Sequence, residues 1–320
     1  MMTEFFFLGG LLLAWAFGRN NFGNVFGTAV GTGIISLKWA AFLTTAFLLL
    51  GALCSGEGTS DILASFIHFT SVKEAFSFSL IVAFMMMLLT RWGIPASVAQ
   101  ISVGALVGWN FVANKEICWD KVIAIASGWL ISPFLACVIA FFLFKAARFY
   151  LKKVPVPILE RDIWVRFLWI GVGSFTAYGF GANNLPVLTM PFQAFASDPS
   201  FLLLLFCVAI GAGCLMASRK VIRTLSSKLF PLSSVESLIV GFSGSLAVLL
   251  FSVNRGVLPA LPVSIGATLV GAIVGVSFGK GGYGLKKLAL LSIMASWIWA
   301  PVFSGLFCFA FGSIMKMGGF

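Results

Sequence analysis

Residues 95–108 read PASVAQISVGALVG, and residues 262–275 read PVSIGATLVGAIVG. In both segments a proline and a serine come shortly before a run of glycine, alanine and branched apolar residues. An earlier pair of segments repeats as well, because GRNN at 18–21 returns as GANN at 181–184. Two further matches keep the same order: GALC at 51–54 with GAGC at 211–214, and Trp129 and Pro133 with Trp297 and Pro301. Repeated blocks in one order indicate that the chain consists of two related halves.

The chain is far more apolar than a water-soluble domain. Of its 320 residues, 60% are hydrophobic and 10% are charged, and the mean hydropathy is +1.06, whereas soluble proteins carry about 25% charged residues. Disordered, disulfide-rich secreted and ordinary cytosolic proteins are therefore disfavoured. Since one membrane span needs about 20 apolar residues, the sequence predicts an all-α polytopic membrane protein of about 10–12 helices, with the lipid bilayer as a partner.

Two features that suggest other functions have simpler explanations. The six cysteines form no CxxC pair, so we expect neither a metal site nor disulfides, and no bound cofactor. The formal charge of +11 fits lysine and arginine in cytoplasmic loops better than nucleic-acid binding. No acid pair, serine–histidine set or phosphate-cradling loop stands out, so the sequence does not predict an enzyme.

Apolar runs between polar breaks predict ten membrane spans, five on each side of a polar linker. Their approximate bounds are 4–17, 39–55, 75–90, 98–113, 122–144, 167–180, 200–217, 236–252, 262–278 and 288–312. With the N-terminus outside, 16 of the 21 lysines and arginines fall in cytoplasmic segments, which is the pattern that the positive-inside rule describes. The sequence therefore predicts a plasma-membrane protein with the N- and C-termini outside and a cytoplasmic linker.

An odd number of spans in each half means that the second half enters the membrane upside down. We therefore expect a first repeat at 1–144, a cytoplasmic linker at 145–166 and a second, inverted repeat at 167–320. Inverted repeats with broken helices at the bilayer midplane are typical of secondary transporters, which bind their substrate where the repeats meet. A duplication that serves stability alone is the alternative.

The duplicated asparagines are the first group of candidate site residues. Polar residues inside membrane segments usually mark a substrate pathway, and an asparagine amide can both accept and donate a hydrogen bond. The run from 20 to 33 is rich in glycine, so a helix break that faces a cavity is predicted there; helix capping is the alternative. The candidates are Asn20, Asn21, Asn24 and Thr28 in the first half and Asn183 and Asn184 in the second.

The duplicated serines are the second group. Ser97 and Ser264 each follow a proline at the predicted start of a helix, where free N–H groups and the positive dipole end attract anions. Two such ends aimed at one point would bind an oxyanion, although an ordinary helix cap explains either serine alone. Gln100 could line the same cavity or bond across helices. Arg19 could donate to the anion or anchor the chain at the cytoplasmic surface.

These motifs resemble those of the inorganic phosphate transporter (PiT) family, including its sulfate-permease-like branch. That family carries a duplicated G-A-N-D-x-A-N signature and a duplicated P-x-S-T-T-H segment, with a V-G-A-x-V-G run after it. Residues 18–28 and 181–184 match the first motif, and residues 95–108 and 262–275 match the second. The resemblance implies a symporter that takes up phosphate, with both serines and the asparagine motifs as anion ligands.

The resemblance also implies a coupling cation near Asn20 and Asn183. However, Asn21 and Asn184 stand where the family has aspartate, and Arg19 stands where it usually has alanine, so the local charge is about three units more positive by count. This difference disfavours Na⁺ and favours a permanently dianionic substrate. Sulfate is therefore an alternative to phosphate, and the proton an alternative to sodium. An anion channel or exporter and a transport-inactive sensor are further alternatives, and the 34 glycines would permit a homodimer.

Overall fold

A computed structural model gives the structure of residues 5–64, 69–92, 97–153, 158–217, 232–253, 258–282 and 284–317. Over these ranges the chain forms twelve helices and no strand. The first half contains α1 (Phe7–Val25), α2 (Gly27–Gly31), α3 (Leu37–Ser55), α4 (Glu57–Ala64), α5 (Val72–Trp92), α6 (Val98–Ala113) and α7 (Trp119–Lys153). The second half contains α8 (Ile158–Gln193), α9 (Pro199–Leu215), α10 (Ser234–Leu250), α11 (Ile265–Gly279) and α12 (Lys287–Met317).

Every predicted span corresponds to a helix, and the all-α class is confirmed. The bounds agree best for α6, whose apolar run at 98–113 is flanked by polar residues on both sides. The first and sixth spans are longer than predicted, because α1 continues to Val25 and α8 continues to Gln193. Their polar GxNN motifs look like helix ends in the sequence but lie inside the helices. The sequence does not predict the short helices α2 and α4.

The predicted linker at 145–166 is helical where the structure describes it. Residues 145–153 complete α7, and residues 158–166 open α8. Lysine and arginine are good helix formers, so the loss of apolar character at 145 marks the end of the apolar run and not the end of the helix. Pro155 and Pro157 lie outside the described residues.

Four helices of the first half pack against four helices of the second half. Helix α1 packs against α9 and α3 packs against α8, so each of these pairs joins one half to the other. In the same way α6 packs against α12, and α7 packs against α11. Each pair has a counterpart in which the halves are exchanged, as a pair of inverted repeats requires. Any site between the repeats therefore has walls from both halves.

Glycines of the repeated V-G-A-x-V-G run set the closest approach in two of these pairs. A Cβ atom at Gly104 of α6 would overlap the carbonyl oxygen of Pro301, and a Cβ atom at Gly271 of α11 would overlap that of Pro133. Small residues at such contacts allow membrane helices to pack backbone against backbone. The run is therefore a packing surface, and it fixes α6 and α11 to the opposite half.

The packing corrects one of the sequence matches. A Cβ atom at Gly51 would overlap the carbonyl oxygen of Tyr178, and a Cβ atom at Gly213 would overlap that of Trp15. Tyr178 and Trp15 are equivalent, because each lies three residues before the first glycine of a GxNN motif. Gly51 therefore corresponds to Gly213 and not to Gly211, so the match of GALC with GAGC is wrong by two residues.

Two ion pairs repeat the same symmetry. The Lys115 ammonium, just beyond the end of α6, lies 3.4 Å from the carboxylate of Glu74 in the first turn of α5. The Lys280 ammonium, just beyond the end of α11, lies 2.9 Å from the carboxylate of Glu236 in the first turn of α10. Because the repeats are inverted, these pairs join equivalent helix ends on opposite sides of the membrane.

The outer surface is suited to lipid. Four of the described helices (α3, α5, α7 and α12) are long and apolar enough to cross a membrane. Helix α7 exposes Leu130 and Phe134 to 71% and 70%, and α12 exposes Ile298 to 68%. Large apolar side chains that are exposed along whole helices need an apolar environment. The chain is an integral membrane protein.

Candidate functional site

Asn183 of the second GxNN motif holds the chain that leads into α11. Its Oδ1 accepts a hydrogen bond from the backbone N–H of Val263 at 2.8 Å, and its Nδ2 donates to the carbonyl oxygen of Leu261 at 2.9 Å. Nδ2 also donates to the hydroxyl oxygen of Ser252 at 3.2 Å. These residues are all buried. Asn183 therefore ties α8 to the irregular segment 258–264 that precedes α11.

The first half contains a counterpart of one of these bonds. Asn20 Nδ2 donates to Thr90 Oγ1 at 2.6 Å, just as Asn183 donates to Ser252. The two hydroxyls are equivalent, because each also donates to a carbonyl oxygen four residues earlier in its own helix region. Residues 93–96, which include Pro95 and Ala96 of the predicted motif, lie outside the described residues.

Both duplicated serines cap helices. Ser97 Oγ accepts from the backbone N–H of Gln100 at 3.4 Å, and Ser264 Oγ accepts from that of Ala267 at 3.2 Å. Both serines have extended backbone conformations. The helix-cap interpretation is therefore confirmed for each. A cap bonds only one of the N–H groups of a first turn that have no partner within the helix, so capping is compatible with an anion at the same end.

The four motif segments meet in crossed pairs. Helix α11, which begins directly after Ser264, contacts α1, which carries the first asparagine pair. Helix α6, which begins directly after Ser97, contacts α8, which carries the second pair. Each asparagine motif thus lies on a helix that touches the serine-capped helix of the other half. Such a crossing places polar groups from both repeats in the interior of the protein.

The asparagines of the first motif lie inside α1 and not in a helix break. Asn21 Nδ2 donates to the carbonyl oxygen of Phe17 at 3.2 Å, and Asn24 Nδ2 donates to Asn21 Oδ1 at 3.1 Å. The predicted break in the run 20–33 lies at Phe26, where φ −121° and ψ 7° separate α1 from α2, and not at the asparagines themselves. Gly18, just before the asparagines, serves close packing, because a Cβ atom there would overlap the α9 backbone at Ile210.

Ser97 and Gln100 line a cavity of about 600 Å³, which we call cavity A. Its other walls are the second half of α5 and residues 292–307 of α12, and they are mainly apolar, with Trp92 and Trp299 among them. The Gln100 side chain is 2% exposed, and its Nε2 has no hydrogen-bond partner within the described part of the chain. Gln100 therefore lines the same cavity as Ser97, and its role as an anion ligand stays a prediction.

The second serine is enclosed more tightly than the first. Ser264 is 2% exposed, whereas Ser97 is only partly buried. The segment before Ser264 is held by Trp129 of α7, whose Nε1 donates to the carbonyl oxygen of Pro262 at 3.0 Å. The segment before Ser264 is therefore held by one residue from each half, Trp129 from the first and Asn183 from the second. The two repeats therefore differ in how far their serine-capped helices are accessible.

Two other predicted residues lie at a different place. Asn24 and Thr28 line a cavity of about 60 Å³, which we call cavity B, together with Trp169 and Ser237. Cavity B is formed by α1, α2, α8, α10 and α11, whereas α5, α6 and α12 form cavity A. The structure therefore divides the predicted site residues among the crossed motifs, cavity A and cavity B.

Arg19 lies apart from the asparagine side chains. Its guanidinium carbon is 5.4 Å from the centre of the Trp15 ring, and both residues face α9, since Gly213 of α9 approaches their backbone atoms. At 3.6 residues per turn, Arg19 is rotated by about 100° from Asn20 and about 200° from Asn21 around the helix. The Arg19 side chain therefore leaves α1 on a different face from the Asn20 and Asn21 side chains.

The meeting point of the motifs has hydrogen-bond donors but no carboxylate from the motifs themselves. Asn184 is 3% exposed, and its Nδ2 has no hydrogen-bond partner within the described ranges. Among the described residues, no group of three histidine, cysteine, aspartate or glutamate residues could hold a metal ion. The interior chemistry is therefore that of amides, hydroxyls and helix N–H groups.

Three residues that hold the candidate site are not among its sequence-predicted members. Thr90 and Ser252 bond the duplicated asparagines, and Trp129 bonds the segment before α11. The sequence does contain a signal for Thr90 and Ser252, because each lies at nearly the same distance from the asparagine that it bonds. Thr90 follows Asn20 by 70 residues, and Ser252 follows Asn183 by 69 residues. Trp129 is part of a repeated Trp-x-x-x-Pro pair, but only the packing gives its partner.

Comparisons with known proteins agree with this division into halves. The sequence model of the phosphate transporter family matches the chain twice, over residues 17–165 and 158–308. The chain belongs to the phosphate transporter family. The two matches meet at residues 158–165. This position lies between the two halves that the repeated motifs define.

This family member is similar to several named proteins over most of its length. A "putative phosphate permease" of Methanocaldococcus jannaschii is 25% identical over 292 residues, which cover 91% of this chain and 90% of that protein. The sulfate permease CysP of Bacillus subtilis is 25% identical over 300 residues, which cover 92% of this chain and 82% of that protein. A solved structure described as a sodium-dependent phosphate transporter has the same fold, with a TM-score of 0.80 at 21% identity. The superposed region covers 99% of this chain and 100% of the chain in that structure.

Proposed function

We propose that this chain is a secondary transporter that carries inorganic phosphate across the membrane. The observation that carries the proposal is the bonding of Asn183, which joins the duplicated asparagine motif to the segment leading into a duplicated serine-capped helix. Polar groups are costly in a membrane protein interior and are usually retained for a pathway. Family membership supports phosphate as the substrate.

The unpartnered side-chain donors at the motifs suit a ligand that accepts hydrogen bonds, such as an oxyanion. Asn184 Nδ2 and Gln100 Nε2 are buried donors without partners within the described residues. A buried donor without a partner costs about 1–3 kcal/mol, and an oxyanion would recover that cost at each of them. The N–H groups in the first turns of α6 and α11 add further donors. We assign direct anion contact to Ser97, Gln100, Asn184 and Ser264, with Asn21 beside them.

Asn20 and Asn183 have a different role in this proposal. The Oδ1 and Nδ2 atoms of Asn183 already bond Ser252, Leu261 and Val263. Asn20 Nδ2 already bonds Thr90. We therefore assign them as positioning residues that hold the serine-capped helices, and a coupling cation would bind beside them. Arg19 contributes positive charge from the α9 face of α1, and no direct contact with the anion is assigned to it.

The exchanged helix pairs suggest how access alternates. Cavity A lies in front of Ser97, while Trp129 and Asn183 hold the segment in front of Ser264. In transporters with inverted repeats, one repeat rocks against the other around a fixed site. We propose that the Trp129–Pro262 bond belongs to the closed side, and that the equivalent contact forms in the first half when cavity A closes.

A coupling cation is part of the proposal. Moving an anion into a negative interior costs about 2.3 kcal/mol per charge per 100 mV, so uptake requires a second driving ion. The solved structure with the same fold is described as sodium-dependent. This chain has Asn21 and Asn184 in place of acidic ligands, so its cation is expected to use amide and hydroxyl oxygens, or to be a proton.

Sulfate is a second candidate substrate, and a specific observation favours it. The motif residues offer amides and hydroxyls without carboxylates, which suits an anion that carries no proton. The similarity to a sulfate permease over 92% of the chain is in line with this alternative.

The proposed location is the plasma membrane. In the proposed orientation the linker side is cytoplasmic, both termini are outside, and the Glu236–Lys280 pair lies at the cytoplasmic side. A homodimer stays a prediction.

The test is anion binding by the purified protein in detergent. Phosphate and sulfate are titrated by calorimetry, each in Na⁺ and in K⁺, with wild type, Asn184→Ala and a control. The control is Ser243→Ala, because Ser243 is a buried residue of α10 that lines neither cavity. We expect phosphate binding that Asn184→Ala weakens by about tenfold or more and that Ser243→Ala preserves. Binding of sulfate alone would establish the second candidate, and binding of neither anion would refute both.

A further inference from the structure

Cavity B is lined by one residue with a free hydrogen-bond donor and one with a free acceptor, each without a partner among the described residues. It lies at the end of α1, beside Trp169 and Val172 of α8 and the first half of α10, on the same side as the Glu236–Lys280 ion pair. Its volume of about 60 Å³ holds roughly four to six water-sized spheres, enough for a small tetrahedral anion. Its polar lining consists of Asn24, Thr28, Trp169 and Ser237.

The free acceptor is Asn24 Oδ1, and its orientation is set by the helix. The carbonyl oxygen of Phe17 can only accept, so the amide nitrogen of Asn21 must face it at 3.2 Å. Asn21 Oδ1 is then turned toward Asn24 and accepts from Asn24 Nδ2 at 3.1 Å. Asn24 Oδ1 is left buried, without a partner in the described part of the chain. A flipped Asn24 amide would place two oxygens against each other.

The free donor is the indole N–H of Trp169. The side chain is 5% exposed, and Nε1 has no hydrogen-bond partner among the described residues. An indole nitrogen donates and never accepts, so a bare cation would be repelled by it. A ligand that satisfies both Trp169 and Asn24 must carry an acceptor and a donor.

The inverted repeat supplies an internal comparison. The two halves can be aligned by matching Gly18 with Gly181 and Glu74 with Glu236. In this alignment each polar residue of cavity B has a counterpart on the other side of the membrane. The counterparts of Asn24, Thr28, Trp169 and Ser237 are Val187, Pro191, Phe6 and Ala75, respectively. All four are apolar, so the fold itself does not require polar groups there. The polar lining belongs to one side of the membrane only.

From this geometry we infer that cavity B is a second anion site, selective for a tetrahedral oxyanion that still carries a proton. Hydrogen phosphate fits, because its P–OH donates to Asn24 Oδ1 while its other oxygens accept from Trp169 and Ser237. Sulfate carries no proton at neutral pH, so it would leave Asn24 Oδ1 unpaired. The inference rests on the proposed function, and it adds a stopping point between the central site and the linker side.

The test observes the Trp169 indole N–H directly by NMR. The purified protein is labelled with ¹⁵N at the indole nitrogens of its tryptophans, and the Trp169→Phe variant assigns the signal. Inorganic phosphate and sulfate are titrated separately at neutral pH. We expect the Trp169 signal to move downfield with phosphate and to stay in place with sulfate. The control signal is that of Trp109, which is also buried without a partner for Nε1 in the described ranges but lines neither cavity.

Calorimetry on the same samples separates the possible failures. Phosphate binding without movement of the Trp169 signal would overturn the second site and leave the proposed function intact. Equal movement with sulfate would overturn the selectivity for a protonated anion. Equal movement of the Trp169 and Trp109 signals would indicate a global change and would also overturn the site. If neither anion binds in calorimetry, the proposed function fails together with this inference.

Discussion

Replacing Asn183 with alanine removes the side chain that holds the segment leading into α11. Three hydrogen bonds disappear, and two of them bond backbone groups: the carbonyl oxygen of Leu261 and the N–H of Val263. Leu261 is 2% exposed and Val263 is 0% exposed, so water cannot replace the lost partner without a rearrangement. A buried polar group without a partner costs about 1–3 kcal/mol. The expected loss of folding free energy is therefore about 2–6 kcal/mol.

The assay compares unfolding in detergent with phosphate transport in proteoliposomes. Asn183→Ala is expected to unfold at a lower denaturant concentration and to lose most of its transport, because Ser264 depends on the same segment. The control is Thr189→Val in the same helix. The Thr189 hydroxyl is buried, and its bond is to a carbonyl oxygen one turn earlier, so its removal should cost no more than about 1 kcal/mol. Equal stability and equal transport in both variants would refute the role of Asn183.

Three further predictions test the packing, the closed side and the coupling ion. Gly271→Ala should destabilise the protein by about 1–3 kcal/mol, because the added Cβ atom would overlap the α7 backbone. The control Gly171→Ala should be neutral or stabilising, since the space around Gly171 is open. Equal melting temperatures of the two variants would contradict this prediction. Trp129→Phe should increase access to the segment before α11, measured by labelling of a cysteine introduced there, and unchanged labelling would count against the closed-side role. Asn21→Asp combined with Asn184→Asp should make uptake depend on Na⁺, and unchanged ion dependence would contradict the reading of these positions.

Apolar runs predict most of the helices because lipid requires long apolar surfaces. The prediction is accurate for α6, whose apolar run and helix have the same bounds. It ends the first span too early, at residue 17, because the polar residues Asn21 and Asn24 interrupt the apolar run, whereas α1 continues to Val25. In the structure their amides are bonded to Phe17 and to each other, so the helix continues through them.

The duplication identifies the central residues of the candidate site, but their partners depend on tertiary packing. Asn20 and Thr90 are 70 residues apart, and only the contact of α1 with α5 brings them together. The sequence singles out only Asn24 and Thr28 of cavity B, since Trp169 resembles any other aromatic residue of an apolar span. Its polar character becomes visible only when both halves are compared in three dimensions.

Phosphate uptake by the protein reconstituted into liposomes tests directly whether the chain is a cation-coupled transporter. Radiolabelled phosphate is offered with an inward Na⁺ gradient, with an inward proton gradient and with neither, at a fixed membrane potential. We expect phosphate to accumulate above its outside concentration under one cation gradient, and we expect Asn184→Ala to abolish this accumulation. Flux that only equalises phosphate across the membrane, whatever the cation gradient, would contradict a coupled transporter.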